Sequence, residues 1–174
     1  MTITGSINLS SSLSQTPPTS IPGGSKLTTA NNAKFVPAST GAPGDADVID
    51  LKYSRTLTLT ATPTVLDLSD LTDVFGEAVA FARVRAILIL NRDINDGHNL
   101  TVGSTSTVSN SWTALISNPG TLTIGASTAV NSGVFFAASP STTGWAVTST
   151  NKLLNLDPGA NTLVVTVEIT GASA

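Results

Sequence analysis

Residues 52–62 alternate with a period of two. Tyr53, Leu57, Leu59 and Ala61 fall on one side, and Lys52, Ser54, Thr56, Thr58 and Thr60 on the other. That is the pattern of a half-buried strand with a hydroxyl-rich outer face, and Pro63 stops it. Residues 162–170 repeat the pattern near the C-terminus, with Leu163, Val165, Val167 and Ile169 predicted inside. The most apolar stretch is 79–91. As a strand it places Ala82, Val84, Ala86, Leu88 and Leu90 on the inner face, and Arg83, Arg85, Ile87 and Ile89 on the other. Shorter strands are predicted at 100–103, 112–117, 121–126, 133–138, 145–150 and 152–156. Turn chemistry separates them: a hairpin loop at 92–99 around Asp96-Gly97, then Asn118-Pro119-Gly120, Ser139-Pro140 and Asp157-Pro158-Gly159. One segment departs from the period. Ser69 as a cap, Asp70 and Asp73 as acidic first-turn residues, apolar Leu71, Val74 and Phe75, and a terminal Gly76 predict one or two helical turns over 69–76.

Strands following one another at about 8–12-residue intervals mark a sandwich or barrel. The expected fold is all-β: a single jelly-roll-like β-sandwich of about eight strands with one short helix, spanning 51–174. Residues 1–50 are different. They hold five of the nine prolines, and their only charges before Asp45 are Lys26 and Lys34. Their scattered apolar residues cannot build a core. Ile3, Ile7 and Leu9 do share one side of a short alternating run. The segment reads either as a disordered tail or as an extended N-terminal arm that orders against neighbouring subunits by strand addition. An arm of this length reaches about 150 Å at about 3.3 Å per residue.

Composition sharpens this picture. Of the 174 residues, 40% are hydrophobic and only 11% are charged, against about 25% charged in ordinary globular proteins. Ser and Thr supply the polarity, at about 28% of the chain. β-Branched Thr and Val suit a pleated strand, and few Lys or Glu remain for a solvated helix face. A net charge of −3 with eight dispersed basic residues argues against a nucleic-acid partner. Without cysteine there is no disulfide, thiolate nucleophile or usual structural zinc site. No basic, apolar leader opens the chain and no run reaches bilayer length, so the expectation is a protein made in the cytoplasm with no membrane partner.

Each candidate for chemistry has a cheaper structural explanation. His98 is the single histidine, placed in a turn beside Asp96 and Gly97, and no Gly-x-Ser-x-Gly elbow accompanies it. Asp67, Asp70 and Asp73 read as capping and helix-dipole residues rather than calcium ligands. Residues 93–97 fall short of a calcium loop, because the Gly comes one place early and no Glu follows at the required distance. Asp45, Asp47 and Asp50 read as solvated linker. Glu77 and Glu168 are the only glutamates, and Glu168 points outward from the last strand. Trp112, Trp145 and Tyr53 are candidates for sugar stacking, but strand-borne aromatics in so aromatic-poor a domain read as core. No catalytic, cofactor or metal site is expected.

The run Phe81-Ala-Arg-Val-Arg-Ala-Ile-Leu-Ile-Leu-Asn91, then Leu100-Thr-Val-Gly103, Thr143-Gly-Trp-Ala-Val147 and Val165-Thr-Val-Glu-Ile-Thr-Gly171, resembles small β-domain virion proteins of tailed bacteriophages. The resemblance covers residues 51–171 and lies in style, low charge and strand order. It implies a non-enzymatic accessory capsid protein of the decoration or cement type. The alternative is a neck, tail or fibre component, including a receptor- or carbohydrate-binding module. It further implies residence in the virion, fastening through residues 1–50, and partners in other copies of the chain (a trimer, by analogy) and in the major capsid protein. Interface residues expected on this reading are Ile3, Ile7, Leu9, Phe35, Val36, Arg83 and Arg85.

Overall fold

The alternation at 52–62 becomes an edge strand whose inward side chains are Tyr53 and Leu59, at 2% and 1% exposure. In the computed structural model, residues 7–15, 27–35, 49–126, 133–139 and 144–173 are described, the first two segments as backbone. β1 (Ile7–Gln15) and β2 (Leu27–Phe35) pair antiparallel, from Ile7 opposite Phe35 to Gln15 opposite Leu27. They belong to a small unit, Thr4–Pro37. The remaining strands form the large unit.

That unit is a β-sandwich-like pair of antiparallel sheets. One sheet contains β3 (Leu51–Thr60), β13 (Thr162–Ala172), β7 (Arg83–Asn91) and β10 (Gly133–Ala138), in the order β10-β7-β13-β3, and β11 (Trp145–Ala146) also pairs with β7. The other contains β4 (Thr64–Asp67), β12 (Leu153–Asp157), β8 (Leu100–Ser104) and β9 (Gly120–Ile124), in the order β4-β12-β8-β9. Leu59, Ile87, Ile89, Leu163, Val165, Val167 and Ile169 from the first sheet meet Leu66, Leu100, Val102, Ile124, Leu154 and Leu156 from the second in one core. Each fully buried aliphatic side chain contributes about 1.5–3 kcal/mol of hydrophobic stabilisation. The inward face of the last strand, Leu163 to Ile169, is as the periodicity predicts.

Four expectations are corrected. Among the described residues there is no helix. Residues 69–76 instead enter a small hairpin of β5 (Leu71–Thr72) and β6 (Ala78–Val79), with Leu71 opposite Val79 and both buried. The residues read as caps are turn formers. The Asp67 carboxylate accepts from the Ser69 amide and hydroxyl, and the Asp73 carboxylate accepts from the Phe75 and Glu77 amides. Gly76 sits at φ +90, so the acidic and glycine signals close a tight turn rather than flank a helix. The apolar residues assigned to a helix face, Val74 and Phe75, are 63% and 86% exposed at its tip.

Second, the inner face of β7 is reversed over its C-terminal half. Ile87 and Ile89 are fully buried in the core, while Leu88 and Leu90 are half-buried on the opposite face. Val84 is also in the core, three residues before Ile87, a spacing that strict alternation forbids. The register explains it: Thr170 pairs with Ala86 but the adjacent Gly171 pairs with Val84, so Arg85 is the extra residue of a β-bulge. Third, residues 92–99 are not a hairpin loop, because β7 and β8 lie in different sheets. Fourth, residues 112–117 form no strand. Ser111 makes only an isolated parallel bridge to Leu153, and Trp112 drops into the core.

Candidate functional site

The side of the five-stranded sheet turned away from the core carries two kinds of surface. Towards β3 it is hydroxylated. Thr56 and Thr166 share a hydrogen bond at 3.0 Å, Arg92 Nε donates to Thr166 Oγ1 at 2.8 Å, and Ser54 Oγ donates to Glu168 Oε1 at 3.5 Å. Towards β10 it is apolar. Leu90 lies opposite Val134 and Leu88 opposite Phe136; Val164 on β13 lies towards β3, opposite Thr58. Val134 is 54% exposed and Val164 40%. Arg92 and Glu168 are the charges among these residues, and the hydroxyls of Thr166 and Ser54 hold them. Covering this face would bury its leucines, valines and phenylalanine, whereas the exposed Arg92 and Lys52 would cost free energy unless they stayed solvated or found partners.

The other polar groupings serve the fold. At the corner between the sheets, Asp93 is held below the usual carboxylate range, chiefly by the Asn95 amide it accepts from, with His98 Nδ1 3.1 Å from its other oxygen. This assembly closes the 92–99 crossing and leaves His98 as a turn residue. Burial works to raise the Asp67 pKa, but the Lys152 ammonium at 2.6 Å and the two Ser69 donors outweigh it and hold that carboxyl low. Among the described residues no three His, Asp or Glu side chains converge as a metal site. Trp112 is 3% exposed and donates Nε1–H to the Ala146 carbonyl at 3.1 Å. Trp145 packs edge-on against it at 6.1 Å. The pair therefore braces the core and offers no double sugar platform.

Of the interface residues expected from sequence, Ile3 and Val36 lie outside the described residues. Ile7 and Phe35 are backbone partners at the open end of the β1–β2 hairpin, and Leu9 pairs with Ala33. Arg83 opens β7. Arg85 is 9% exposed at the bulge, its side chain lying against Gly144. Sequence reasoning missed Leu88 and Leu90 as outer-face residues, because it carried the parity of Val84 through the bulge. It also left Val134, Phe136 and Val164 without a role. The usable signal was Asn91: a polar residue on the parity of Ile87 and Ile89 marks the end of the core at the sheet corner. Comparison with protein-family models, curated proteins and solved structures finds no match to the chain.

Proposed function

We propose that the protein is a non-enzymatic structural subunit of a tailed-bacteriophage particle, specifically a capsid-decoration subunit made in the host cytoplasm and resident in the virion. The observation that carries this reading is the apolar and hydroxylated outer face of the five-stranded sheet. Burying its apolar part against a shell adds hydrophobic stabilisation, with Arg92 and Lys52 left solvated at its margin.

We read the sandwich as a jelly roll, the wrapping used by many capsid domains. The nesting of its strands supports this. Leaving aside the short β5, β6 and β11, the first strand pairs with the last (β3 with β13) and the second with the second-last (β4 with β12). β7 pairs with β10, and the middle two strands, β8 and β9, pair with each other. A long antiparallel ribbon folded around a core has this order. Topology alone does not specify function, so the reading stands on the surface. The burial of Trp112 favours it over a carbohydrate-binding module.

The test is purification of particles by density gradient, followed by mass spectrometry, for the native chain and for Val134→Asp. Val134 is exposed, so the variant is expected to fold with a melting temperature close to native. It adds a charge that burial would strand, and its particle occupancy is expected to fall at least tenfold. Absence of the native chain from particles, or native-like occupancy of Val134→Asp, overturns the proposal.

A further inference from the structure

We infer that β3 is a self-pairing edge through which two copies of the chain join their five-stranded sheets about a two-fold axis at Thr56. β3 is an end strand: among the described residues it pairs only with β13. Its ladder fixes which backbone groups are used. Ala61 N–H donates to Asn161 O on the register that pairs Thr60 with Thr162. The odd-numbered residues therefore bond to β13, and the even-numbered ones, Lys52 through Thr60, turn their N–H and C=O groups outward. Lys52, Thr56, Thr58 and Thr60 are exposed.

Of the devices that usually protect an edge, the strand has two charges, Lys52 and Arg55, and a neighbouring hairpin that Arg55 touches at the Thr72 carbonyl, but neither shortness, proline nor a bulge. It is ten residues long, carries no proline, and its pairing with β13 runs without a bulge from Leu51 to Thr60. The other sheet ends are shorter: β4 has four residues, β9 five and β10 six. An edge of this kind is a template for another strand.

Strand length and charge together favour one register for a second copy: an axis at Thr56 uses all five outward residues from Lys52 to Thr60 and keeps the cations apart. With the axis at Thr56, antiparallel pairing sets Thr56 against the partner's Thr56, Ser54 against the partner's Thr58, and Lys52 against the partner's Thr60. Arg55 then faces the partner's Leu57. The even positions become a hydroxyl ladder, a favourable cross-strand pairing, and neither cation meets its like. Moving the axis one residue, to Arg55, opposes the two guanidinium groups. The contact is isologous and closes as a pair. It is made by the backbone edge of β3, which borders the outer sheet face, and it holds whether or not the apolar part of that face binds a capsid.

The chain has no cysteine, so a single introduced thiol reports the axis. At Thr56 the two Cα atoms stand about 5.5 Å apart in a hydrogen-bonded pair, within disulfide range. At Lys52 they stand about 27 Å apart, eight residues at about 3.4 Å each. Full-length Thr56→Cys is expected to oxidise to a covalent dimer, and Lys52→Cys to stay monomeric on a denaturing gel. Thr56→Pro removes an outward N–H without touching the β13 ladder. It also removes the Thr56–Thr166 hydroxyl bond, so it is expected to melt somewhat below native while staying folded, and to sediment as a monomer at up to about 100 µM, where the native chain sediments as a dimer or an even-numbered multiple. A native chain that is monomeric at that concentration overturns the inference, as does cross-linking of Lys52→Cys as fast as Thr56→Cys. Should Thr56→Pro not fold, the two cysteine variants decide alone.

Discussion

Asn91 shows how a polar residue can be fully buried and still stabilise this fold. It has no exposed surface, yet its amide nitrogen donates to the carbonyls of His98 and Ile124 and its oxygen accepts from the Asp93 amide. One side chain thus ties the end of β7 to the inter-sheet crossing and to β9. Asn91→Leu leaves two carbonyls and one amide without these partners, and is expected to lower stability by about 2–3 kcal/mol in urea titration. A loss below about 0.5 kcal/mol would show that the corner holds itself. Asp67 works differently. Its carboxyl is held low by Lys152 and Ser69 against the opposing effect of burial. The ionised form is therefore favoured by folding: its contribution is present above the ordinary carboxylate pKa of about 3.9 and is lost as pH falls through the lower folded value. Lys152→Met should raise the Asp67 pKa, read by NMR titration. It should cost about 0.5–1 kcal/mol at pH 7 and close to nothing once Asp67 is protonated in both proteins.

At the scale of elements, the bulge at Arg85 decides which side of β7 meets the core. It depends on Gly171. A Cβ there would overlap the Arg83 carbonyl oxygen and come within 2.7 Å of Phe81 Cδ1. Gly171→Ala should therefore cost about 1–3 kcal/mol, seen as a lower melting temperature, whereas an unchanged melting temperature would mean that the β7–β13 register can shift to make room. The bulge also explains why one strand was misread while β13 was not. Leu163, Val165, Val167 and Ile169 obey a single parity, and all are buried. In β7 the parity changes at a residue whose identity, arginine, gives no hint of it. The hairpin at 71–79 failed for a related reason. Aspartate and glycine around a short apolar group serve a helix end and a tight turn equally well. Only the partner available to Leu71, here Val79, separates the two.

Across the whole molecule, two surfaces carry the assembly reading: the outer sheet face centred on Leu88, Leu90, Val134 and Phe136, and the edge of β3, which among the described residues pairs only with β13. The hydroxyl side of β3 was plain in the alternation of Lys52, Ser54, Thr56, Thr58 and Thr60. Its position at the end of a sheet was not, since alternation looks the same in any half-buried strand. The all-β class, most of the strands and the inward faces of β13 and of β3 as far as Leu59 followed from the sequence by itself; Ala61, expected inside, is exposed beyond the end of β3. The features that followed depend on local period, β-branching and turn residues, which act within a few positions. Tertiary structure decided the rest: that residues 92–99 cross between sheets, that Trp112 fills the core, and that Leu88 and Leu90 face outward. Each of these depends on which distant strand lies alongside, and hydrogen-bond pairing between residues as far apart as Ala86 and Thr170 leaves no periodic trace in either segment alone.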